Sequence, residues 1–373
     1  MLPRHLYIHV PFCARRCSYC DFSIAVRSVV PVDDYVSAVA SELRQRYAAE
    51  PQWELDTLYL GGGTPSKLGG DGVARLLDVV RRRASLAPNA EVTLEANPED
   101  VTPDSARAWR GAGVNRLSLG AQSFDDRVLT WMHRTHDAAA IGRAVDAARA
   151  AGLADLSIDL IFALPDALER DWDRDLGQAL ALAPEHLSLY GLTVEPATPV
   201  ARWRDRGTMH EAPESRYERE FLYAHDTLAV AGFEHYEVSN YARPGHEARH
   251  NSAYWTGAPY GAVGPSAHGF DGESRRWNRP AYSAWMAAVG AGDDPIEGEE
   301  RLTSESRALE ASYLGLRTAR GLHLEAEESA KLQPWLDAGW ASIAVDGTLR
   351  LTPLGWLRLD ALTQYLTDIR SRY

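Results

Sequence analysis

Cysteine is almost missing from this 373-residue chain: there are three, all within Cys13-Ala14-Arg15-Arg16-Cys17-Ser18-Tyr19-Cys20. An odd trio packed so tightly cannot build a disulfide framework. Positive charge is also scarce. Thirty-nine Lys and Arg against 52 Asp and Glu leave a formal net charge of -13, which argues against a nucleic-acid partner, because phosphate binding draws on clustered cations. The densest basic run, Arg81-Arg82-Arg83, falls at a predicted helix end, where cations complement the helix dipole. No run approaches the roughly 18–20 apolar residues of a membrane span. Met1-Leu2-Pro3-Arg4-His5 leads straight into Leu6-Tyr7-Ile8-His9-Val10 without signal-peptide architecture. The expectation is a cytoplasmic protein that does not cross a membrane and keeps its thiols reduced. Fixed-period repeats and low-complexity tracts are lacking too.

What is present points first to a metal centre. Thiolates at x3 and x2 spacing on a flexible loop can converge on one 4Fe-4S cluster, leaving one iron without a cysteine. A zinc site completed by His9 or Asp21, or three ordinary thiols, are the alternatives, although structural zinc sites usually arrive as two separated ligand pairs. Arg15 and Arg16 would lower the cysteine pKa values, or they are simply solvated surface.

The chain exceeds the usual size of one domain, and its 45% hydrophobic content is ample for a core. β-like runs alternate with helical patterns over the first two-thirds, the signature of βα units around a parallel sheet. Strands are predicted near 5–10, 57–60, 91–96, 116–120, 157–162 and 186–192, with helices near 33–48, 72–83, 103–111, 138–150, 169–182 and 214–230. Six units make an α/β partial barrel, short of a closed eightfold one, with function expected where strands run into the following loops. Tyr7 and His9, Thr93 and Glu95, Ser118 and Gln122, and Ser157 and Asp159 each share a strand face, which suggests a polar, ligand-filled mouth. Residues 1–235 form this core. Residues 236–300, dense in aromatics and glycine, read as a connecting region lying back on the barrel. Residues 301–373, with helices near 307–318, 324–338 and 354–365 and a hairpin turning at Asp346-Gly347, suggest a small winged-helix-like domain.

The stretch from Tyr7 to Cys13, with Cys17, Cys20, Asp21 and Phe22, resembles the signature of the radical S-adenosylmethionine (SAM) superfamily. More narrowly, the chain resembles the branch holding oxygen-independent coproporphyrinogen III oxidase and the HemW-type haem chaperones. Companion motifs occur in order: Gly61-Gly62-Gly63-Thr64-Pro65-Ser66, Glu95-Ala96-Asn97-Pro98, Gly120-Ala121-Gln122-Ser123-Phe124, Arg134 with His136, Asp159-Leu160-Ile161 and Leu351-Thr352-Pro353-Leu354-Gly355. The resemblance implies a cluster on Cys13, Cys17 and Cys20 whose open iron chelates SAM, with one-electron cleavage yielding a deoxyadenosyl radical. It places Gly62, Gly63 and Thr64 at the methionine ammonium and Arg134 at the SAM carboxylate. Gln122 and Asp159 fall at the ribose, Glu95 at the ammonium or the ribose, and Tyr7 beside the cluster.

Within that branch two functions compete. One is radical decarboxylation of coproporphyrinogen III. The other is binding haem and passing it to haem-requiring acceptors such as respiratory enzymes, with SAM, the cluster and a cluster reductant in support; a homodimer is compatible with either. Asp21-Phe22 stands where the oxidase pattern has Gly-Cys, and the chain starts only a few residues before its first strand, where the oxidase has a long extension. Arg249-His250-Asn251-Ser252-Ala253-Tyr254-Trp255 matches the chaperones' His-Asn-x-x-Tyr-Trp motif. The expected function is therefore haem carriage, with His250 as haem ligand and Tyr254 and Trp255 packing in support. By itself, a histidine in an aromatic loop is more often a hydrogen-bonded packing residue. His268, in Gly264-Pro265-Ser266-Ala267-His268, has no assigned role.

Overall fold

The computed structural model describes residues 2–47 and 53–370. Its centre is a run of parallel strands: β1 (His5–Val10), β2 (Glu54–Gly62), β3 (Ser85–Ala96), β4 (Arg116–Gln122), β5 (Asp155–Phe162) and β6 (His186–Gly191). They pair in chain order. Leu6, Ile8 and Val10 of β1 are fully buried, facing the helical layer, while Tyr7 and His9 point the other way, as the two-residue period of a strand requires. The intervening helices are α1 (Val32–Arg46), α2 (Gly69–Arg81), α3 (Pro103–Ala112), α4 (Ala138–Ala150) and α5 (Trp172–Ala181), followed by α6 (Glu214–Val230). The expected end of the first helix, Ala48, lies outside the described residues.

Local chemistry sets several boundaries. Thr102 caps α3 in a reciprocal pair with Ser105, Pro103 occupies the first turn, and Gly113 closes the helix in the left-handed conformation at φ 103°. Asp137 and Asp171 cap α4 and α5 through their carboxylates.

The aromatic segment does more than connect. β7 (Glu234–Glu237) and β8 (Asn240–Ala242) extend the sheet beyond β6, and β9 (Tyr260–Val263) pairs parallel with the free edge of β1. Three antiparallel strands, β10 (His268–Phe270), β11 (Ser274–Asn278) and β12 (Ile296–Arg301), continue outward. The result is one twelve-stranded sheet with seven consecutive parallel strands at its heart. Between β8 and β9 sits the short helix α7 (Arg249–Trp255), and α8 (Tyr282–Ala291) follows β11.

A buried carboxylate fastens this late segment to the front of the chain. Glu42 of α1, fully buried, accepts from Gly264 N at 2.9 Å, Asn278 Nδ2 at 2.6 Å and Trp285 Nε1 at 2.8 Å, and pairs with Arg46 at 3.1 Å. Gly264, at φ 100°, runs so close to β1 that a Cβ would stand 2.5 Å from His9 O.

The C-terminal part contains α9 (Ser304–Leu316), a three-stranded antiparallel sheet and α10 (Leu359–Arg370). The sheet comprises β13 (Leu322–His323), β14 (Ala341–Ile343) and β15 (Thr348–Leu351), with β15 in the middle. The hairpin turns at Asp346-Gly347 as expected, Gly347 adopting φ 81°. The long helix expected over 324–338 is instead broken into Ala326–Ser329, a 3-10 turn, and Gln333–Asp337. Pro334 explains the restart: without an N–H it fits only the first turn of a new helix.

Replacing Glu42 with Ala strips the acceptor from three buried donors and leaves Arg46 without its buried partner. A loss of about 3–5 kcal/mol in urea unfolding is expected, and Glu42→Gln, which keeps one acceptor oxygen, should lose less.

Candidate functional site

A cavity of about 450 Å³ opens at the C-terminal ends of the parallel strands, bordered by Cys13, Cys17 and Cys20 together with the loops after β2, β3 and β4. All three thiols are free. Arg16 folds the cysteine loop by donating to Cys20 O at 3.0 Å and Phe22 O at 3.4 Å, and Ser18 N donates to Met132 O. Cys13 Sγ lies 3.3 Å from Thr64 Oγ1. The expected depression of the cysteine pKa values by arginine does not prevail. Burial raises the Cys13 thiol and pushes that of Cys20 up to about 11, with Arg16 only a minor opposing influence.

The glycine loop is shaped by proximity. Gly63 N donates to Val10 O at 2.8 Å, and a Cβ on Gly63 would fall 2.7 Å from the Pro11 backbone, so only glycine lets this loop run beside the cysteine loop. Gly62, at φ 115°, lies over the His9 ring. Gly62, Gly63 and Thr64 all line the cavity.

Two half-buried carboxylates face the same space. Glu95 accepts from Tyr59 OH at 2.7 Å and Gly62 N at 2.9 Å; burial drives its pKa up to about 7 against those bonds. Asp159 accepts from Ser118 at 3.1 Å and Ser157 at 3.3 Å, and burial lifts it to about 6. Gln122 enters the lining through an irregularity in β4, where the register against β5 slips between Leu119 and Gln122 and its φ becomes 70°. Arg134 donates to Asn97 Oδ1 and Gly120 O, each at 2.6 Å, and to Cys17 Sγ at 3.4 Å; its buried Nε has no partner among the described residues.

Thus the sheet brings together ten of the residues singled out from the sequence: the three cysteines, Gly62, Gly63, Thr64, Glu95, Gln122, Arg134 and Asp159. Tyr7 is not in the lining. Its hydroxyl bonds His9 Nδ1 at 3.1 Å and its ring stacks on Tyr59. Ser118, expected at the polar mouth, also lines the cavity, as do Asn97, His133 and Tyr190, to which the sequence gave no individual role. Asn97 had a readable signal, standing two residues beyond Glu95.

The His-Asn-x-x-Tyr-Trp helix lies elsewhere. His250, 1% exposed, bonds Thr57 Oγ1 through Nδ1 at 2.7 Å and Tyr254 OH through Nε2 at 2.8 Å, and stacks on Tyr59. Thr57 pairs with His5 at the start of β1, roughly 16 Å along β2 from Gly62 at about 3.3 Å per residue. Burial lowers the His250 pKa to about 3, so the ring is neutral, but in this conformation neither nitrogen is open to a ligand. Trp255 is covered by the Arg317 guanidinium at 4.9 Å. His268 stacks against Trp277.

The donor set fits an iron-sulfur cluster with SAM better than zinc. Three free thiols border one cavity beside an arginine with an unspent N–H. His9, a proposed zinc completion, already uses both nitrogens on Tyr7 OH and Ser23 O, and Asp21 is exposed.

Residues 7–178 match the Radical SAM superfamily. The chain is 37% identical over 370 residues to the heme chaperone HemW of Mycobacterium tuberculosis, covering 98% of this chain and 95% of that protein. To heme chaperone HemW of Escherichia coli it is 41% identical over 268 residues, covering 72% and 70%. The chain belongs to the HemW family. Membership in this radical SAM family implies a 4Fe-4S cluster and SAM. Among solved structures, the Escherichia coli coproporphyrinogen III oxidase HemN, described as a radical SAM enzyme, superposes with a TM-score of 0.82 at 22% identity, covering 97% of this chain and 89% of that one. That likeness establishes the fold.

Glu95 and Asp159 give a pH prediction for the cofactor-free protein. Both carboxyls have folded-state pKa values above their ordinary range, so their stabilisation is present in acid and is lost as pH rises through about 6 to 7. Urea midpoints should fall between pH 5 and pH 8 by the equivalent of about 4 kcal/mol, and Glu95→Gln should flatten the slope.

Proposed function

We propose that this protein binds haem and delivers it to haem-requiring acceptor proteins, such as respiratory enzymes, with a 4Fe-4S cluster and SAM supporting that role. The observation that carries the reading is identity of 37% over nearly the whole chain to a protein named as a heme chaperone, joined to the intact motif from His250 to Trp255. Cys13, Cys17 and Cys20 hold the cluster. Gly62, Gly63, Thr64 and Arg134 take the amino-acid end of SAM, Gln122 and Asp159 its ribose, and Glu95 braces the glycine loop through Gly62. When bound, this pair supplies one-electron chemistry from an external reductant. The site of action is the cytoplasm, where thiols stay reduced; no helix among the described residues is long and apolar enough to cross a membrane.

His250 is the proposed haem ligand. Its neutral imidazole suits ferric or ferrous iron, and ligation requires α7 to release the bonds to Thr57 and Tyr254 first. Haemin titration of anaerobically reconstituted protein should saturate, and His250→Ala should weaken binding at least tenfold. The same preparation should not convert coproporphyrinogen III; decarboxylation with turnover and no saturable haem binding would replace this reading with the oxidase. A native titration curve from His250→Ala would remove His250 as ligand while leaving haem carriage intact.

The cluster assignment has an independent check. Cys17→Ser should lose the broad visible absorbance of the iron-sulfur centre, and retention of that absorbance with full iron content would contradict a ligand role.

A further inference from the structure

Arg134 stands in the wall between two cavities: the one described above and a second, of about 980 Å³, also bordered by Glu99, Thr135, His136 and Arg143. A side chain that borders both needs something to aim it. Behind it lies a buried acid-base pair. His136 Nε2 is 3.2 Å from Ala121 O, and Nδ1 is 3.4 Å from Glu99 Oε2, with the imidazole side chain fully buried. The ring is thus held between a backbone carbonyl and a carboxylate oxygen, the second contact being the longer of the two. The other Glu99 oxygen accepts from Thr135 Oγ1 and from Asn97 Nδ2 at 3.3 Å. Asn97 in turn presents Oδ1 to Arg134, and Ala121 is the neighbour of Gly120, whose carbonyl holds the same guanidinium nitrogen.

We propose that Glu99 and His136 are positioning residues for SAM: together they lock Asn97 and the Gly120-Ala121 backbone so that Arg134 keeps its guanidinium at the cysteine-lined cavity, beside Cys17. Neither residue lines that cavity, so neither touches the cofactor. The inference rests on the proposed reading of Arg134 as the partner of the SAM carboxylate. Without the pair, Asn97 loses its acceptor, Thr135 is released, and the arginine can rotate toward the second cavity. Glu99 Oε2 is buried without a hydrogen-bond partner among the described residues, and His136 Nδ1 at 3.4 Å is the group set against it.

The test uses reconstituted full-length protein and three readouts: cluster content, SAM affinity, and the change that SAM produces in the electron paramagnetic resonance spectrum of the reduced cluster. Glu99→Gln and His136→Leu should keep native iron content yet bind SAM at least tenfold more weakly, with the SAM-induced spectral change diminished. The decisive comparison repeats His136→Leu in an Arg134→Lys background. If His136 acts through Arg134, it should cost less than twofold there. Native SAM affinity in both single variants overturns the proposal, as does a full tenfold further loss in the Arg134→Lys background. Should His136→Leu fail to fold, Glu99→Gln in the same background gives the same comparison. Absence of SAM binding by the native protein would sink the cofactor reading itself, a different result from native-like variants.

Discussion

The parallel pairing of β1 with β2 is the constraint on which the site depends. His9 opposite Gly61 and Val10 opposite Gly62 bring the two strands to their ends side by side, so the cysteine loop and the glycine loop leave the sheet as neighbours. The bond from Gly63 N to Val10 O and the tight approach to Pro11 then fix their spacing. β3, β4 and β5, added in order, deliver Glu95, Gln122 and Asp159 to the same rim. Because side chains alternate along each strand, a slip of one residue in any pair would turn these groups into the helical layer.

Around that frame, buried and half-buried carboxylates are used repeatedly, and always with several partners. Glu42 ties α1 to the late strands, Glu95 holds the glycine loop, Asp159 sits among serines, and Glu99 gathers Thr135, Asn97 and His136. Each carboxylate is costly to bury and would be a liability if half satisfied. Their hydrogen bonds are directional, and this sets loop positions that apolar packing alone would leave loose.

Much of this was legible in the sequence where local chemistry decides. β1, α4 and α6 were read at their observed bounds. The cavity residues were legible because strand alternation and the motif positions agreed. Three features were hidden. Tyr260–Val263 is too short a run to announce a strand, and its pairing with β1 is a contact across the whole chain. Asn97 and His136 stood in recognised motifs, but the bond from Arg134 to Asn97 and the approach of His136 to Glu99 became visible only when β3 and the Arg134 loop were side by side. The site of His250 was also beyond the sequence: the motif was clear, yet its burial against Thr57 and Tyr59, at the other end of the strands, follows from how α7 packs.

The late arrival of β9 bears on how the chain is made. β1 leaves the ribosome first, but the strand that covers one of its edges comes some 250 residues afterward. Throughout most of synthesis a strand with one wholly apolar face therefore has an unpaired flank, a template for wrong pairing. The donors that join Glu42 lie 222 to 243 residues away, so the staple that seals this flank closes among the last, and the nascent protein has its greatest need of a holding chaperone just before then.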